Sequence, residues 1–454
     1  MQRLDLIETG KILADLSHYI QTWQPKKRTI ERVEFEVGSI DPLLWLSHLN
    51  DVQKVYWSDR DRKTEIAGIG SALEFKGEHI SQLDANIASM EAFTKGEKRL
   101  KFFGGLRFSA YQNGDKTWQA FPCFRFHLPV FELVRRSDRY YFVCNLYGNP
   151  RQNISQIRTT YLHSLQRLFP GNGKPKPLIE RVGRSDNPNK EEWIENIRLA
   201  LEALHENPLE KVVLARKTEL VVNHPLKAEW LLRQLRVSNP NSFLFLFQPD
   251  SRNAFLGSTP ERLFKRSGRY LETEAVAGTR RRGRTPDEDQ KLKNDLLGCE
   301  KDLREHDYVV RSVEKVLIRH SRSIDKDDRV GILENARVQH LMLRFRAELN
   351  AQVSDADVLR DLHPTPAVGG VPKREALQKI RQLEHFDRGW YAGPVGWISA
   401  SEAEFAVGIR SALVQGNTIN LFAGAGIVQG SDPESEWREL ENKIANFIKI
   451  LHAR

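Results

Sequence analysis

Strand-like segments follow one another closely in two parts of this chain, and their spacing is the strongest constraint on the fold. Four segments show the apolar, turn-bounded pattern of buried strands: residues 242–247, 254–257, 263–276 and 394–430. The third is a hairpin that turns at Ser267-Gly268, and the last contains a pair joined at Gly416-Asn417. Strands that adjoin in sequence without regular helical crossovers favour antiparallel or mixed sheets. We therefore predict an α+β fold, a large single body of two packed, mainly antiparallel or mixed sheets with outer helices.

A composition break divides the chain in two. The run Pro170 to Pro177 mixes proline, glycine and lysine and interrupts both helix and strand, and Asn187-Pro188 offers an N-cap with proline at the first helical position. The helix that follows, residues 191–205, leads directly into the next strand. We predict a variable N-terminal half at residues 1–180, belonging to the same body, and a catalytic region at residues 185–454.

Hydropathy and cysteine content indicate the kind of protein. No stretch approaches the roughly 20 apolar residues that span a bilayer, and the first residues alternate charged with apolar positions, unlike a signal peptide. Cys123, Cys144 and Cys299 are too few and too widely spaced for a disulfide framework or a zinc site. We expect a soluble, cytoplasmic protein that has no membrane partner.

The formal charge of +9 is compatible with nucleic acid, a membrane surface or an acidic small molecule. Its densest run, Arg280 to Arg284, lacks the interleaved aromatic residues of a single-strand binding platform. We favour a solvated basic loop, followed by steering of an anionic substrate, and expect no nucleic-acid partner.

Two residues are candidates for proton transfer. Lys211 begins the apolar run Lys211-Val212-Val213-Leu214-Ala215-Arg216, where burial would favour the uncharged amine that a base requires. Glu261, in Gly257-Ser258-Thr259-Pro260-Glu261-Arg262, is the candidate acid. The alternatives are a lysine that extends along the sheet to water and a carboxylate that stabilises a helix start.

Two carboxylate pairs have the spacing of one helix face. Asp302 and Glu305 lie in a long helical pattern over residues 286–322, and Glu436 and Glu439 follow a Ser-x-x-Glu sequence at 431–434 that resembles a capping box. Such oxygen-only clusters suit a hard cation such as Mg²⁺. The alternative is a solvated helix surface on which Glu439 pairs with a lysine four residues on.

Together the motifs resemble the chorismate-utilising enzymes and, within them, the isochorismate synthases of the menaquinone-pathway type. The resemblance covers roughly residues 185–454, and the N-terminal half carries none of its motifs. Its anchors are Lys211 to Arg216, Gly257 to Leu263, Glu274 to Thr279, Glu300 to His306, His363 to Gly370, Gly408 to Arg410 and Gly424 to Glu439. The resemblance implies the two-sheet fold of the family, with both halves contributing strands.

The resemblance also implies a reaction. Lys211 would deprotonate a water that attacks C2 of chorismate, while Glu261 would protonate the departing C4 hydroxyl. Glu305 and Glu439 would hold Mg²⁺ directly, and Asp302 and Glu436 would support it through water. Tyr391 and Arg410 would bind the carboxylates, and the other substrate contacts implied are Gly278, Thr279, Gly424, Gly426 and, in second rank, His363. His363 on its own is more typical of a residue that shapes a loop.

Two positions distinguish members of this family. Where the ammonia-using synthases carry glutamine, Lys211 indicates water as the nucleophile, and Ala277 replaces the lysine that attacks the ring in aminodeoxychorismate synthases. No amidotransferase subunit is therefore expected. Salicylate synthases, which go on to eliminate pyruvate, remain the nearest alternative, and an isochorismate synthase of a siderophore pathway would catalyse the same reaction. A basic, non-catalytic binding protein is the alternative of another class.

Overall fold

The computed structural model describes residues 6–26, 29–49, 52–109, 115–149, 152–168, 180–206, 208–334 and 338–452. The predicted break at Pro170 to Pro177 lies outside them. The described residues form the helices α1 (Leu6–Thr22), α2 (Pro42–Ser47), α3 (Leu83–Thr94), α4 (Ile154–Gln166), α5 (Lys190–Glu206), α6 (Ala228–Ser238), α7 (Pro286–Gly298), α8 (Glu300–His320), α9 (Asp355–Leu362), α10 (Lys373–Leu383) and α11 (Pro433–His452).

The strands are β1 (Ile30–Val37), β2 (Lys54–Ser58), β3 (Thr64–Ile69), β4 (Leu73–Gly77), β5 (Phe102–Leu106), β6 (Phe124–Leu128), β7 (Phe131–Arg136), β8 (Arg139–Tyr147), β9 (Arg181–Asn187), β10 (Lys211–Val222), β11 (Phe243–Gln248), β12 (Asn253–Thr259), β13 (Arg262–Ser267), β14 (Tyr270–Arg281), β15 (Ser321–Lys326), β16 (Gly331–Glu334), β17 (Val338–Leu349), β18 (Gly370–Val371), β19 (Pro394–Ile398), β20 (Glu402–Val407), β21 (Ser411–Gln415) and β22 (Thr418–Ile427).

These strands make two large sheets. The first has 12 strands in the order β1-β8-β7-β3-β2-β11-β12-β21-β22-β10-β18, with β9 also pairing with β10. The second has 10 strands in the order β15-β17-β14-β13-β20-β19-β5-β6-β4, with β16 also pairing with β17. The α+β prediction is confirmed.

Both halves of the chain contribute to both sheets. In the first sheet β2 pairs with β11, placing Tyr56 opposite Leu246. In the second, β5 pairs with β19, placing Gly104 opposite Gly396. The hydrogen-bonded ladders therefore run without interruption from the N-terminal half into the rest of the chain. The division at residues 1–180 and 185–454 stays a prediction about function.

An aromatic cluster ties the halves together in the core. Trp118, from the N-terminal half, has its ring centroid 5.2 Å from that of Phe255 on β12 and 5.5 Å from that of Phe422 on β22. Phe121 packs edge-on against Trp390 at 5.2 Å. Buried rings in such arrangements contribute both large apolar area and specific pair geometry. The N-terminal half thus supports strands of the C-terminal region from within.

Two helix starts differ from the predicted ones. The α5 helix is capped by Asn189, whose side chain accepts from Glu192 N at 3.0 Å, whereas Asn187 ends β9. The α11 helix is capped by Asp432, which accepts from Ser435 N at 2.8 Å, so the predicted capping box from Ser431 is wrong. In both cases a short polar side chain nearer the first turn reaches the free N–H groups.

The predicted helix over residues 286–322 is two helices. The α7 helix ends at Gly298, Cys299 is extended, and α8 starts at Glu300. Glycine has one of the lowest helix propensities, which suits it to this break. The break places the start of α8, with Asp302 and Glu305, at the edge of a cavity.

The basic run Arg280 to Arg284 is largely paired with acidic side chains. Arg280 pairs with Asp295 at 2.8 Å, Arg281 with Glu288 at 2.5 Å and Arg282 with Asp289 at 2.6 Å. Carboxylates of α7 thus compensate much of its charge. The three cysteines are free thiols, and across the described ranges no helix has the length and apolar character to cross a membrane.

Candidate active site

A cavity of about 390 Å³ is lined by strands of both sheets and by two helices. Its walls include Val213 of β10, residues of β14 and of β22, and the N-terminal parts of α8 and α11. The volume is that of a typical small-molecule site. Carboxylate and cationic side chains line it together, so its chemistry is that of a charged ligand rather than an apolar one.

Lys211 lies directly behind the wall of this cavity. It is the first residue of β10, is 1 % exposed, and donates from Nζ to Glu305 Oε1 at 2.6 Å. Burial would raise the pKa of Glu305, but the charge and hydrogen bond of Lys211 outweigh it and hold this pKa below its usual value. Lys211 therefore reaches the cavity through its contact with Glu305.

Gly426 provides the space for this lysine. A Cβ at position 426 would lie 2.9 Å from Lys211 Cε and 3.2 Å from Glu305 Oε1. We expect Gly426→Ala to displace the flexible end of Lys211 while leaving the fold intact. Turnover should fall at least tenfold, since small misplacements of catalytic groups are costly. Gly298→Ala, where no atom lies within 4 Å of an added Cβ, is the matched control. Equal activity of both variants would contradict this role of Lys211.

Glu261 is a buried carboxyl group in the same cavity. It stands between β12 and β13, is 7 % exposed, and lines the cavity. Burial raises its pKa to about 7, with the nearby charge of Glu274 adding to the rise and that of Lys211 opposing it. A carboxyl group with such a pKa holds a proton near neutral pH, as a general acid must.

The four predicted metal ligands all line the cavity. Asp302 pairs with Arg280 at 2.7 Å, Glu305 with Lys211, and Glu439 with Lys443 at 2.5 Å. Burial, and then the charge of Glu439, raise the pKa of Glu436. The structure therefore brings together two carboxylate pairs that are 134 residues apart along the chain, from Asp302 to Glu436.

These residues match Mg²⁺ in the kind of donor. All four offer carboxylate oxygens, and the crowding of Glu436 by Glu439 is a repulsion that a cation would relieve. As the side chains stand, no three Asp, Glu, His or Cys residues in the described part of the chain converge closely enough to hold a metal ion. Three of the carboxylates are instead turned to lysine or arginine partners, which they would have to leave in order to bind one.

Another set of residues in the cavity suits anionic groups. The cavity is lined by residues that the resemblance implied as substrate contacts: Tyr391, Arg410, Gly278, Thr279 and Gly424. Burial raises the pKa of Tyr391, so its hydroxyl is a donor, and its ring stacks on Phe422 at 5.2 Å. Arg410 has a left-handed backbone conformation, with φ 51°, a strained geometry that clusters at functional sites.

His363 is the one predicted site residue that lies apart from this group. It does not line the cavity; its Nε2 is 3.0 Å from the carbonyl oxygen of Phe108, and its ring packs edge-on against that of Phe108 at 5.8 Å. Burial lowers the pKa of this imidazole to about 3. These contacts favour the interpretation of His363 as a residue that shapes a loop.

Sequence reasoning missed His340. This residue of β17 lines the cavity, is 7 % exposed, and has Nδ1 3.0 Å from Thr279 Oγ1 and 3.2 Å from the Gly278 carbonyl oxygen. Its Nε2 has no hydrogen-bond partner among the residues that the structure describes. Burial and the charge of Arg410 lower its pKa to about 4, so the ring is neutral at pH 7. A proton on Nδ1, donated to Gly278, would leave Nε2 as an acceptor for a ligand hydroxyl.

Sequence reasoning treated Lys443 only as a partner of Glu439. The structure adds that its Nζ donates to the Gly424 carbonyl oxygen at 2.7 Å and that its side chain lines the cavity. Lys443 therefore places a positive charge beside Gly424 of β22. The i,i+4 spacing was visible in the sequence, but the position of β22 was not.

Comparison with known proteins shows which family the chain belongs to. The model of the chorismate binding enzymes matches residues 17–452. The chain belongs to the chorismate-binding enzyme family. This chorismate-binding enzyme is 32 % identical over 446 residues to isochorismate synthase MenF of Haemophilus influenzae, covering 97 % of this chain and 96 % of that one.

One further relative and one solved structure are also similar to this chain over most of its length. The salicylate biosynthesis isochorismate synthase of Pseudomonas aeruginosa is 32 % identical over 432 residues, which are 92 % of the chorismate-binding enzyme described here and 89 % of the relative. Among solved structures, MenF, the menaquinone-specific isochorismate synthase from Escherichia coli, matches with a TM-score of 0.87 and 29 % identity, covering 98 % of this chain and 99 % of that one. The match spans both sheets and so supports the two-sheet α+β architecture.

Proposed function

We propose that this protein is a Mg²⁺-dependent isochorismate synthase that converts chorismate to isochorismate, with the product used for menaquinone biosynthesis. The observation that carries the proposal is one cavity in which Glu261, with a pKa of about 7, meets the Lys211–Glu305 pair. The likeness to MenF proteins over nearly the whole chain supports the choice of reaction and pathway.

Lys211 would act as the general base. Its amine takes a proton from water, whose oxygen then bonds to C2 of the ring as the ring double bonds shift and the bond from C4 to its hydroxyl breaks. Glu305, its present partner, stabilises the charged lysine. Lys211 is therefore a base only when that carboxylate is engaged elsewhere.

Glu261 would act as the general acid. It gives its proton to the hydroxyl that leaves C4, which departs as water, so one water is consumed and one released. A neutral amine and a protonated carboxyl group can act in one displacement without a large net change of charge.

The remaining groups would hold the substrate. Glu305 and Glu439, supported by Asp302 and Glu436, would bind Mg²⁺, which when bound neutralises and positions the ring carboxylate. Arg410 offers forked donors and Tyr391 a hydroxyl for a carboxylate.

No ammonia-supplying subunit follows from this chemistry. Water is the nucleophile that a lysine base activates, and Ala277, which is buried at the cavity wall, offers no amine to attack the ring. We therefore expect the chain to act on chorismate without an amidotransferase partner.

A product assay tests the proposal. The protein is incubated with chorismate and Mg²⁺, the products are separated by chromatography, and free pyruvate is measured in the same sample. We expect isochorismate without pyruvate, and loss of conversion when EDTA is added, with recovery on excess Mg²⁺. Salicylate with equimolar pyruvate would instead identify a salicylate synthase, and no conversion would contradict the proposed function. Conversion that is unaffected by EDTA would refute the role of the carboxylates.

A further inference from the structure

Arg60, from the N-terminal half, contacts the backbone next to the candidate acid Glu261. It lies in the turn between β2 and β3, and its side chain is only 11 % exposed. Its Nη2 donates to the carbonyl oxygen of Pro260 at 2.8 Å, immediately before Glu261 in the chain. An arginine 200 residues away in sequence thus fixes the backbone that carries the acid.

The same guanidinium binds a second buried carboxylate. Arg60 donates to both oxygens of Glu274, at 3.2 and 2.7 Å, and Arg262 donates to Glu274 Oε1 at 3.0 Å. Both arginines also stack on Phe243, with guanidinium carbons 5.2 and 5.5 Å from the ring centroid. Glu274 is 7 % exposed, and the two arginines supply charged donors to this buried side chain.

The turn that carries Arg60 is itself fixed. Asp59 accepts from Lys63 N at 2.8 Å and from Thr64 N at 3.1 Å, which closes the turn around its side chain. A guanidinium on such a turn is held in place before any ligand binds, so little entropy is lost in keeping it there.

Four groups act on Glu261 from the elements around it. Burial raises the pKa of Glu261 most, and the negative charge of Glu274 on β14 raises it further. The positive charges of Lys211 on β10 and of Arg60 lower it, and so does a hydrogen bond with Thr365, which follows α9. A negative charge near a buried carboxyl group favours its protonated form, and a positive charge favours its ionised form. Arg60, which contacts Glu274 and the backbone beside Glu261, therefore offsets the effect of Glu274 on the proton of Glu261.

We infer that Arg60 is a positioning residue for Glu261: it anchors the Pro260–Glu261 backbone, and its positive charge offsets the negative charge of Glu274, so that Glu261 can release its proton to the substrate. This inference rests on the proposed function, because it takes Glu261 as the acid of the reaction. It gives the N-terminal half a role in the chemistry, although that half carries none of the family motifs.

The experiment follows the protonation of Glu261 directly. The carboxylic C=O stretch is recorded by infrared spectroscopy against pH in the full-length protein, with Glu261→Gln as the reference that lacks the band. Arg60→Met removes a positive charge while Arg262 still pairs with Glu274, so the midpoint should rise by roughly one pH unit. Glu274→Gln removes a negative charge, so the midpoint should fall by a similar amount. Arg60→Lys, which keeps the charge, should stay near the wild-type midpoint.

Controls separate this role from a structural one. Arg269→Met removes an arginine that also donates to a backbone carbonyl, that of Leu349, but at the far end of the β13–β14 hairpin, and should leave the midpoint unchanged. Where Arg60→Met does not fold, Arg60→Gln, which also removes the positive charge, is measured in its place. Wild-type midpoints in both variants, or shifts in the same direction, would overturn the inference. Because the spectra need no turnover, failure of the chorismate assay refutes the proposed function separately.

Discussion

Replacing Lys211 with alanine is expected to lower kcat/KM for chorismate by roughly 10²- to 10⁴-fold, the usual contribution of a positioned acid or base. The amine is 1 % exposed, and its contact with Glu305 is its route to the cavity. The variant should keep its fold, since alanine is smaller and adds no buried charge. Removing the lysine does leave Glu305 without its partner, so some loss of thermal stability is expected.

The matched control is Lys217→Ala in the same strand. Lys217 also lies on β10, and its Nζ is 3.8 Å from Asp115 Oδ2, well outside the residues that line the cavity. Initial rates with chorismate and Mg²⁺, combined with thermal unfolding, distinguish the two lysines. If Lys211→Ala retains turnover similar to Lys217→Ala, Lys211 is not the base.

Replacing Glu261 with glutamine should remove the general acid of the reaction. A loss of roughly 10²- to 10⁴-fold is expected, because the amide cannot protonate the departing hydroxyl. In the wild type the acid must be protonated, and its pKa is about 7. The kcat/KM of the wild type should therefore decline as pH rises above about 7, and the residual activity of Glu261→Gln should lack that decline.

Stability gives an independent check on the same carboxyl group. The native state binds this proton more tightly than the unfolded chain, so the contribution of Glu261 to stability is fully present below its ordinary pKa near 4.5 and is lost as pH rises to about 7. The melting temperature of Glu261→Gln should therefore rise relative to that of the wild type as the pH increases from about 4.5 to about 7. Glu272→Gln, at an exposed position of β14, is the control, and equal pH dependence of both variants would refute the raised pKa.

The local sequence determined the elements and the residue types of the site. Apolar runs with turn signals identified the strands from β11 to β14, because a strand buried on both faces needs a continuous apolar run and a hairpin needs a turn residue. The i,i+3 spacing placed Asp302 with Glu305 and Glu436 with Glu439 on single helix faces, which is a property of one helix and needs no partner. Resemblance to the chorismate-utilising enzymes then supplied the expected roles.

Only the tertiary structure decided which groups meet. His340 faces Thr279 because β14 and β17 pair across 61 residues of chain, and no local pattern encodes that register. Arg60 reaches Pro260 and Glu274 because β2 and β11 join the two halves in one sheet. Local propensity and spacing fix elements one at a time, whereas the protonation of Glu261 depends on charges brought to it from distant parts of the chain, and their distances are set by packing alone.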